Sequence, residues 1–273
     1  MRIALSQICT GPDPKANLEL IRTRTAEAAR AGARLAVFPE AAMACFGTPL
    51  AEVAEPLDGP WAAEVRRIAE AEGVAVVAGM FTPGEGGRVA NTLLAAGPGV
   101  DAGYDKIHLY DAFGYTESSA VSAGSRPVAI DVDGVRIGLA TCYDVRFPEL
   151  FRAYADLGAH AVLLAASWGA GPGKREQWRL LTRARALDAT VWVAAVDQAD
   201  PAAAGVRVPD PAAPTGIGHS ALIGPDGTVR EELGAEPGLL VADIDPGEVA
   251  RVRGALPVLA NRRPDAVPPP AAG

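Results

Sequence analysis

Cys142 is the residue of this 273-residue chain best placed for covalent chemistry. It follows the apolar run Val135–Thr141, which predicts a strand, and it precedes Pro148, where a helix is expected to begin. A cysteine at such a turn is presented outward, close to backbone N–H groups that lack a helical partner. Those groups favour a thiolate and can bind a developing oxyanion. Because an isolated cysteine is more often a small buried residue, the candidate depends on its surroundings.

Two charged residues could supply the proton transfer and the positive charge that such a nucleophile needs. Glu40 follows the predicted strand Leu35–Phe38, and ligands collect at the carboxyl ends of parallel-type strands. Lys106 is one of three lysines in a chain that uses arginine freely, which suggests a need for a compact point charge. Taken alone, Glu40, Lys106 and the later Glu117 are each most simply explained as solvated surface residues.

The elements that must position these residues are short apolar runs that alternate with amphipathic stretches. Their mixture of β–α alternation and hairpins predicts an α/β protein with mixed sheets. The predicted strands are Arg2–Ile8, Leu35–Phe38, Val74–Met80, Thr92–Ala96, Val128–Val132, Val135–Thr141, His160–Ala166, Val191–Val196, Ser220–Ile223, Thr228–Leu233 and Leu239–Ile244. The predicted helices are Pro14–Ala31, Trp61–Ala71, Pro148–Leu157, Lys174–Ala189 and Pro246–Arg253.

No internal linker is long enough to divide the chain, so one domain is expected over residues 1–263. The Pro- and Ala-rich segment Pro264–Gly273 is expected to be a C-terminal tail, and Ala199–Pro214 is expected to be a surface loop.

Composition excludes several classes of protein. The net charge of −8 and the pI of about 5.0 come without a basic patch, which argues against nucleic-acid binding. No apolar run approaches the ~18 residues of a membrane span. Three widely spaced cysteines fit neither a disulfide framework nor a zinc cluster, and they suit the reducing cytoplasm. The three histidines lack ligand-type spacing, so neither a metal nor a cofactor is expected.

From Arg2 to about Arg263 the chain resembles the nitrilase superfamily of carbon–nitrogen hydrolases. The resemblance is carried by Phe-Pro-Glu ending at Glu40, Tyr-Asp-Lys-Ile-His-Leu around Lys106 and Thr-Cys-Tyr-Asp-Val-Arg-Phe-Pro-Glu-Leu around Cys142. The last motif looks most like the Nit branch, which includes ω-amidase and deaminated-glutathione amidase. The segment from Tyr110 to Tyr115 departs from that branch: it is shorter and carries two extra aromatic residues.

The resemblance implies a four-layer αββα sandwich with two mixed β-sheets and a Glu40–Lys106–Cys142 catalytic triad. Glu117 matches a second glutamate that is common in such enzymes, and it would orient Lys106 and the substrate. The implied reaction is hydrolysis of a small linear amide to an acid and ammonia or an amine, through a thioester on Cys142. Lys106 and the backbone N–H of Tyr143 would hold the oxyanion.

Six residues near the catalytic strand ends are candidates for the substrate pocket, although Trp168 could equally belong to the core. Arg146 could pair with a substrate carboxylate or anchor Glu149 or Asp144 structurally. The six candidates are Phe46, Tyr110, Phe113, Tyr115, Arg146 and Trp168.

Several alternatives stay open. The same site could serve an N-carbamoyl hydrolase or a nitrilase, and the fold could belong to a non-catalytic binding protein or an assembly protein. A papain-like pair of Cys142 with His108 or His219 is less favoured, because Glu40 and Lys106 already supply the required functions. The expected partners are a small amide substrate and further copies of the chain, as a homodimer or higher homo-oligomer.

Overall fold

The computed structural model of the protein describes residues 1–210, 213–263 and 266. Its strands are β1 Arg2–Gln7, β2 Leu35–Val37, β3 Ala75–Pro83, β4 Val89–Gly97, β5 Val100–Asp105, β6 Asp111–Ala112, β7 Tyr115–Thr116, β8 Val121–Ser122, β9 Ala129–Val132, β10 Val135–Thr141, β11 Ala161–Ala166, β12 Trp192–Asp197, β13 Ala221–Ile223, β14 Val229–Glu232 and β15 Gly238–Asp243. Its α-helices are α1 Pro14–Arg30, α2 Leu50–Val53, α3 Pro60–Glu72, α4 Pro148–Asp156, α5 Lys174–Ala189, α6 Pro201–Ala204 and α7 Pro246–Ala255.

Two mixed sheets form the body of the fold. The first has the order β15-β1-β2-β3-β4-β5, with β8 beside β4, and the second has the order β14-β13-β12-β11-β10-β9. Parallel pairing joins β1, β2 and β3 in the first sheet and β10, β11 and β12 in the second. A separate hairpin of β6 and β7 stands outside both sheets.

Alternation along the strands explains the layering. In β1, Ile3 and Leu5 face the core between the two sheets, where Leu139 and Leu163 of the second sheet also pack. The intervening Ala4 belongs to the core beneath α1 and α3, as expected when successive side chains point to opposite faces.

The second sheet is covered in the same way. Phe151 of α4 and Trp178 of α5 pack with Val162 of β11 in a further core. The order of layers is therefore α–β–β–α, and the predicted fold class is confirmed.

The main differences from the sequence prediction lie around Lys106. Strand β4 extends beyond the predicted Thr92–Ala96, and β5 was not predicted at all. The β5 sequence Val-Asp-Ala-Gly-Tyr-Asp has only two buried residues, so it lacks a strong strand pattern. It is held by antiparallel pairing with β4, and this pairing places Lys106 directly after a strand.

Within the predicted loop Ala199–Pro214, the described residues 199–210 and 213–214 are more structured than a surface loop. They contain the short helix α6, and Ala199 and Ala213 are buried. Except for Ala266, the predicted tail Pro264–Gly273 lies outside the described residues. Among the helices that the structure describes, none is long and apolar enough to cross a membrane.

Candidate active site

Three strand ends bring the predicted catalytic residues to one cavity. Glu40 follows β2, Lys106 follows β5, and Cys142 follows β10. The first two are carried by one sheet and Cys142 by the other. All three line the same cavity, together with Glu117.

Lys106 is buried between two carboxyl groups. Its Nζ lies 3.0 Å from Glu40 Oε1, 3.0 Å from Glu117 Oε1 and 2.9 Å from Glu117 Oε2. Burial disfavours its charge, but Glu40 and Glu117 outweigh this effect and raise the pKa of Lys106 well above its usual value. Lys106 is therefore a fixed positive charge at neutral pH.

Glu40 is fixed at both carboxyl oxygens. Asn91 Nδ2 donates to Oε1 at 2.8 Å, and the backbone N–H of Ser167 donates to Oε2 at 2.8 Å. Burial raises the pKa of Glu40, with Lys106 acting in the opposite direction. A carboxyl group with a raised pKa is suited to accept and return protons near neutral pH.

Glu117 begins a 3₁₀ turn, Glu117–Ser119, and is buried. Besides Lys106, it accepts a hydrogen bond from the backbone N–H of Tyr110 at 2.6 Å. Glu117 therefore connects the ammonium of Lys106 to the start of the β6–β7 hairpin.

Cys142 occupies a strained turn at the end of β10. Its φ is +45°, a left-handed conformation that is uncommon for residues other than glycine. It begins the 3₁₀ helix Cys142–Arg146, and its Sγ lies 3.9 Å from the carbonyl oxygen of Ser167. Tyr143 is the second residue of this helix, where the backbone N–H has no partner within the helix, and it also lines the cavity.

Cys142 is only 8% exposed. Burial raises its pKa well above the usual value, Glu40 adds to this, and Lys106 opposes it. At neutral pH the resting group is therefore a thiol, and it needs a base to become a nucleophile.

The cavity is narrow, with about 20 Å³ open to the centres of water-sized molecules, and it has a mixed polar and aromatic lining. Of the six predicted pocket residues, Phe46, Tyr110, Tyr115, Arg146 and Trp168 line it. The described residues that line it are Glu40, Phe46, Lys106, Tyr110, Tyr115, Glu117, Cys142, Tyr143, Arg146, Ser167, Trp168, Gly169, Lys174 and Pro214.

Phe113, also predicted to border the pocket, lies elsewhere. It is 71% exposed and sits at the tip of the β6–β7 hairpin with a φ of +56°. The turn directs its ring onto the ammonium of Lys174, 3.7 Å from the ring centroid.

Residues 2–254 match the family model described as carbon-nitrogen hydrolase. The chain belongs to the carbon–nitrogen hydrolase family. This hydrolase is 57% identical over 267 residues to a hydrolase of Mycobacterium tuberculosis (strain ATCC 25618 / H37Rv), a match that covers 96% of this chain and 95% of the relative. It is 34% identical over 268 residues to the deaminated glutathione amidase of Escherichia coli O157:H7, covering 96% and 97% of the two chains. The predicted family and the prediction of a hydrolytic enzyme are confirmed.

A solved amidase from Nesterenkonia sp. AN1 resembles this hydrolase in structure as well as in sequence. It is 29% identical with a TM-score of 0.79, and the match covers 98% of each chain. A Glu-to-Gln variant of that amidase carries the acetamide moiety of fluoroacetamide covalently on its active-site cysteine.

Two further cations of the hydrolase border the cavity. The guanidinium of Arg146 lies against the rings of Tyr143 and Trp168, 5.7 and 5.4 Å from their centroids, and its Nη2 donates to Gln177 at 2.8 Å. Among the described residues, no carboxyl group forms an ion pair with Arg146, and its Nε is buried without a hydrogen-bond partner. The predicted structural anchors, Glu149 and Asp144, are not its partners.

Lys174 is the second of these cations, and it was not among the predicted pocket residues. Its Nζ donates to the hydroxyl of Tyr110 at 3.2 Å and lies over the ring of Phe113. Burial, together with Arg146, lowers the pKa of Lys174. The only signal in the sequence is the glycine-containing loop directly before α5, which does not specify the direction of the Lys174 side chain.

Asn91, Ser167 and Asp197 were also missed. Asp197 ends β12 and accepts hydrogen bonds from the backbone N–H groups of Trp168 at 2.8 Å and Ile217 at 2.9 Å. Burial raises the pKa of Asp197 to about 7, although these N–H groups oppose the shift. The signal for Asn91 was a polar residue in a fully buried strand.

The histidines take no papain-like position. His108 Nδ1 lies 2.7 Å from Asp144 Oδ1, and His219 lies beside Glu232. Within the part of the chain that the structure describes, no three His, Cys, Asp or Glu side chains are grouped to hold a metal ion.

Proposed function

We propose that this hydrolase is a cysteine amidase, in which Glu40, Lys106 and Cys142 form the catalytic triad. The observation that carries the proposal is the buried Lys106 ammonium, held between Glu40 and Glu117 in the cavity that Cys142 also lines. This arrangement supplies a nucleophile, a carboxyl base and a fixed positive charge in one water-poor site.

In the first half of the reaction, Glu40 accepts the proton of the Cys142 thiol, and Sγ attacks the amide carbonyl carbon. The carbonyl oxygen becomes an oxyanion, which Lys106 and the backbone N–H of Tyr143 stabilise. As the tetrahedral intermediate collapses, the C–N bond breaks and Glu40 returns the proton to the departing nitrogen. Ammonia or an amine leaves, and a thioester on Cys142 remains.

In the second half, Glu40 accepts a proton from a water molecule, whose oxygen attacks the thioester carbonyl. The C–S bond breaks, the acid is released, and the proton returns to Sγ. Glu117 keeps Lys106 oriented throughout and transfers no proton in this scheme.

We further propose that the preferred amides carry an anion at their other end. Arg146 and Lys174 both border the cavity, and their partners are the neutral Gln177, Tyr110 and Phe113. Cations with neutral partners can still form charge-assisted hydrogen bonds with a substrate carboxylate. Substrates of the ω-amidase or deaminated-glutathione-amidase type would satisfy this requirement. Phe46, Tyr110, Tyr115 and Trp168, which also line the cavity, would shape the uncharged part of the site.

A side-by-side assay separates amidase activity from the two related activities. Release of ammonia from a linear amide, an N-carbamoyl amino acid and a nitrile is measured for the wild type and for Cys142→Ser. The proposal expects the amide to have the highest kcat/KM and the variant to be inactive. A preference for the carbamoyl compound or the nitrile would replace the amidase assignment with that activity, and an inactive wild type would favour a binding role.

For the assembly, we propose a homo-oligomer formed through the outer helices. Leu180 and Leu187, seven residues apart on α5, are 68% and 41% exposed, and in this proposal they are buried against a second copy. Light scattering of the wild type and of a Leu180→Glu, Leu187→Glu variant tests the assembly. We expect a smaller particle for the variant.

We also propose a cytoplasmic location, which the three free cysteines support.

A further inference from the structure

We propose that His108 and Asp144 form a positioning bridge that sets Lys106 relative to Cys142. The inference rests on the catalytic roles proposed above. It assigns a function to the histidine of the Tyr-Asp-Lys-Ile-His-Leu motif and to the aspartate two residues after the nucleophile.

Asp144 is fully buried, and its carboxyl group accepts four hydrogen bonds. Oδ2 accepts from the hydroxyl of Tyr104 at 2.6 Å and from the backbone N–H of Thr141 at 2.8 Å. Oδ1 accepts from the backbone N–H of His108 at 3.0 Å and faces its Nδ1 at 2.7 Å. With three fixed donors on it, the carboxylate acts only as an acceptor, so His108 Nδ1 carries the hydrogen in this pair.

These contacts span the two segments that carry the catalytic groups. Tyr104 and His108 lie two residues on either side of Lys106, whereas Thr141 and Asp144 flank Cys142 in the chain. The lysine segment continues β5 of the first sheet, and the cysteine turn ends β10 of the second sheet. The bridge therefore joins the two sheets at the active site.

Apolar contact alone would not fix the position of the Lys106 segment relative to the Cys142 turn. The core between the sheets is held by the hydrophobic effect, which has no preferred direction. Hydrogen bonds are directional, and those to a charged group are the shorter and stronger ones. The Asp144 carboxylate thus supplies the directional restraint between the two sheets next to Lys106 and Cys142.

The ring of His108 is itself held in place. It stacks on Phe147, with the ring centroids 3.6 Å apart and an angle of 7° between the planes. Phe147 follows directly after the 3₁₀ helix that begins at Cys142. His108 therefore contacts the cysteine turn through its ring face as well as through Nδ1, although its side chain keeps 27% of its exposure to solvent.

The test compares His108→Ala with His108→Asn, because the Asn amide can place a donor near the position of Nδ1. His160→Ala is the matched control: its Nδ1 accepts from the backbone N–H of Arg136, at the opposite, amino-terminal end of β11. For each protein, reactive Cys142 is titrated with a maleimide, the label is mapped to Cys142 by peptide mass analysis, and kcat and KM for a linear amide are then expressed per reactive Cys142 thiol. Thermal melting is recorded alongside.

A misplacement of about 1 Å between reacting groups can cost roughly 10²-fold in rate. The bridge predicts a fall of about that size in kcat per reactive thiol for His108→Ala, a small change in KM, and substantial recovery in His108→Asn. His160→Ala keeps the wild-type kcat.

If His108 has only a structural role, His108→Ala will lower the melting temperature and the number of reactive thiols but leave kcat per reactive thiol unchanged. This result would contradict the proposed positioning role. Equal losses of kcat per reactive thiol in His108→Ala and His108→Asn would also contradict this role. Failure of the proposed function looks different, because the wild type itself would then show no Cys142-dependent hydrolysis.

Discussion

The ammonium of Lys106 contacts both carboxyl oxygens of Glu117, at 3.0 and 2.9 Å, with both side chains buried. A third contact, at 3.0 Å, reaches Glu40. A lysine ammonium has three donors, so these carboxyl groups account for its resting contacts. Stabilisation of an oxyanion by Lys106 therefore requires one contact to be shared with or transferred to the substrate.

Replacing Lys106 by methionine tests this cluster. Loss of one oxyanion donor lowers kcat by roughly 10²–10³-fold, and we expect at least that loss for Lys106→Met. Removing one partner of a buried ion pair costs about 3–5 kcal/mol, so the free energy of unfolding should also fall. Urea denaturation and steady-state kinetics measure the two effects.

Lys15→Met is the control, because Lys15 is exposed. The double variant Lys106→Met, Glu117→Gln should regain part of the stability, since one uncompensated carboxyl is removed, but none of the activity. Wild-type kcat in Lys106→Met would contradict the role of the ammonium.

Glu40→Gln should separate labelling of the thiol from turnover. The relative from Nesterenkonia shows that a Glu-to-Gln variant can still carry an acetamide group on its cysteine. We therefore expect fluoroacetamide to label Cys142 in Glu40→Gln, whereas amide hydrolysis falls by roughly 10²–10⁴-fold, the usual contribution of general acid–base catalysis.

The pH profile gives a second readout of Glu40. The residue must be ionised to accept the proton, and burial raises its pKa. Activity of the wild type should therefore decline on acidification at a higher pH than an ordinary carboxyl group would give. The residual activity of Glu40→Gln should not show this decline, which is the acid limb of the pH profile. An unchanged acid limb in the variant would assign the titration to another group.

Lys174→Met tests recognition of a substrate anion. A hydrogen bond to a charged group contributes about 1.5–3 kcal/mol, so kcat/KM for the ω-amide of a dicarboxylic acid should fall roughly 10–100-fold. The amide of the same length that ends in a methyl group should be hydrolysed as before. Equal losses for both substrates would indicate that Lys174 supports the cavity wall and does not select the anion.

The raised pKa of Asp197 predicts that the free energy of unfolding depends on pH. Its pKa is about 7 in the folded protein, where burial raises it, and about 3.9 in an unfolded chain. Between these values the folded state holds a proton that the unfolded state has released, so the contribution of Asp197 to stability decreases as the pH rises from about 4 to about 7. The slope is about 1.4 kcal/mol per pH unit.

Asp197→Asn removes this group, so the difference in unfolding free energy between wild type and variant should change with pH across that window and level off above it. Denaturation at several pH values provides the measurement, and Asp58→Asn, at an exposed position, is the control. A difference that is constant with pH would place the titration elsewhere.

Much of the site could be predicted because its main residues follow apolar runs. Glu40 and Cys142 each come at the end of a strand whose pattern is clear in the sequence, and the motifs around them are specific. Lys106 is indicated by its motif and by the scarcity of lysine and not by a strand pattern, since β5 has too little alternation to be recognised without its pairing to β4.

Other parts depend on tertiary structure. Asn91 and the backbone N–H of Ser167 reach Glu40 from 51 and 127 residues away in the chain, through sheet order and loop direction that local pattern does not specify. Phe113 shares the aromatic character of Tyr110 and Tyr115, but its positive φ at the hairpin tip turns it toward Lys174. Residue type indicated the chemistry of these positions, and backbone geometry decided which side chains reach the cavity.

The most direct test of the account is intact-mass analysis of the protein mixed rapidly with a panel of small amides and quenched in acid. We expect the mass to increase by that of the acyl group, with the modification mapped to Cys142 and absent from Cys142→Ser. The adduct should disappear as the acid is released. Hydrolysis that proceeds in Cys142→Ser at the wild-type rate, or an acyl group mapped to Cys9 or Cys45, would contradict the account.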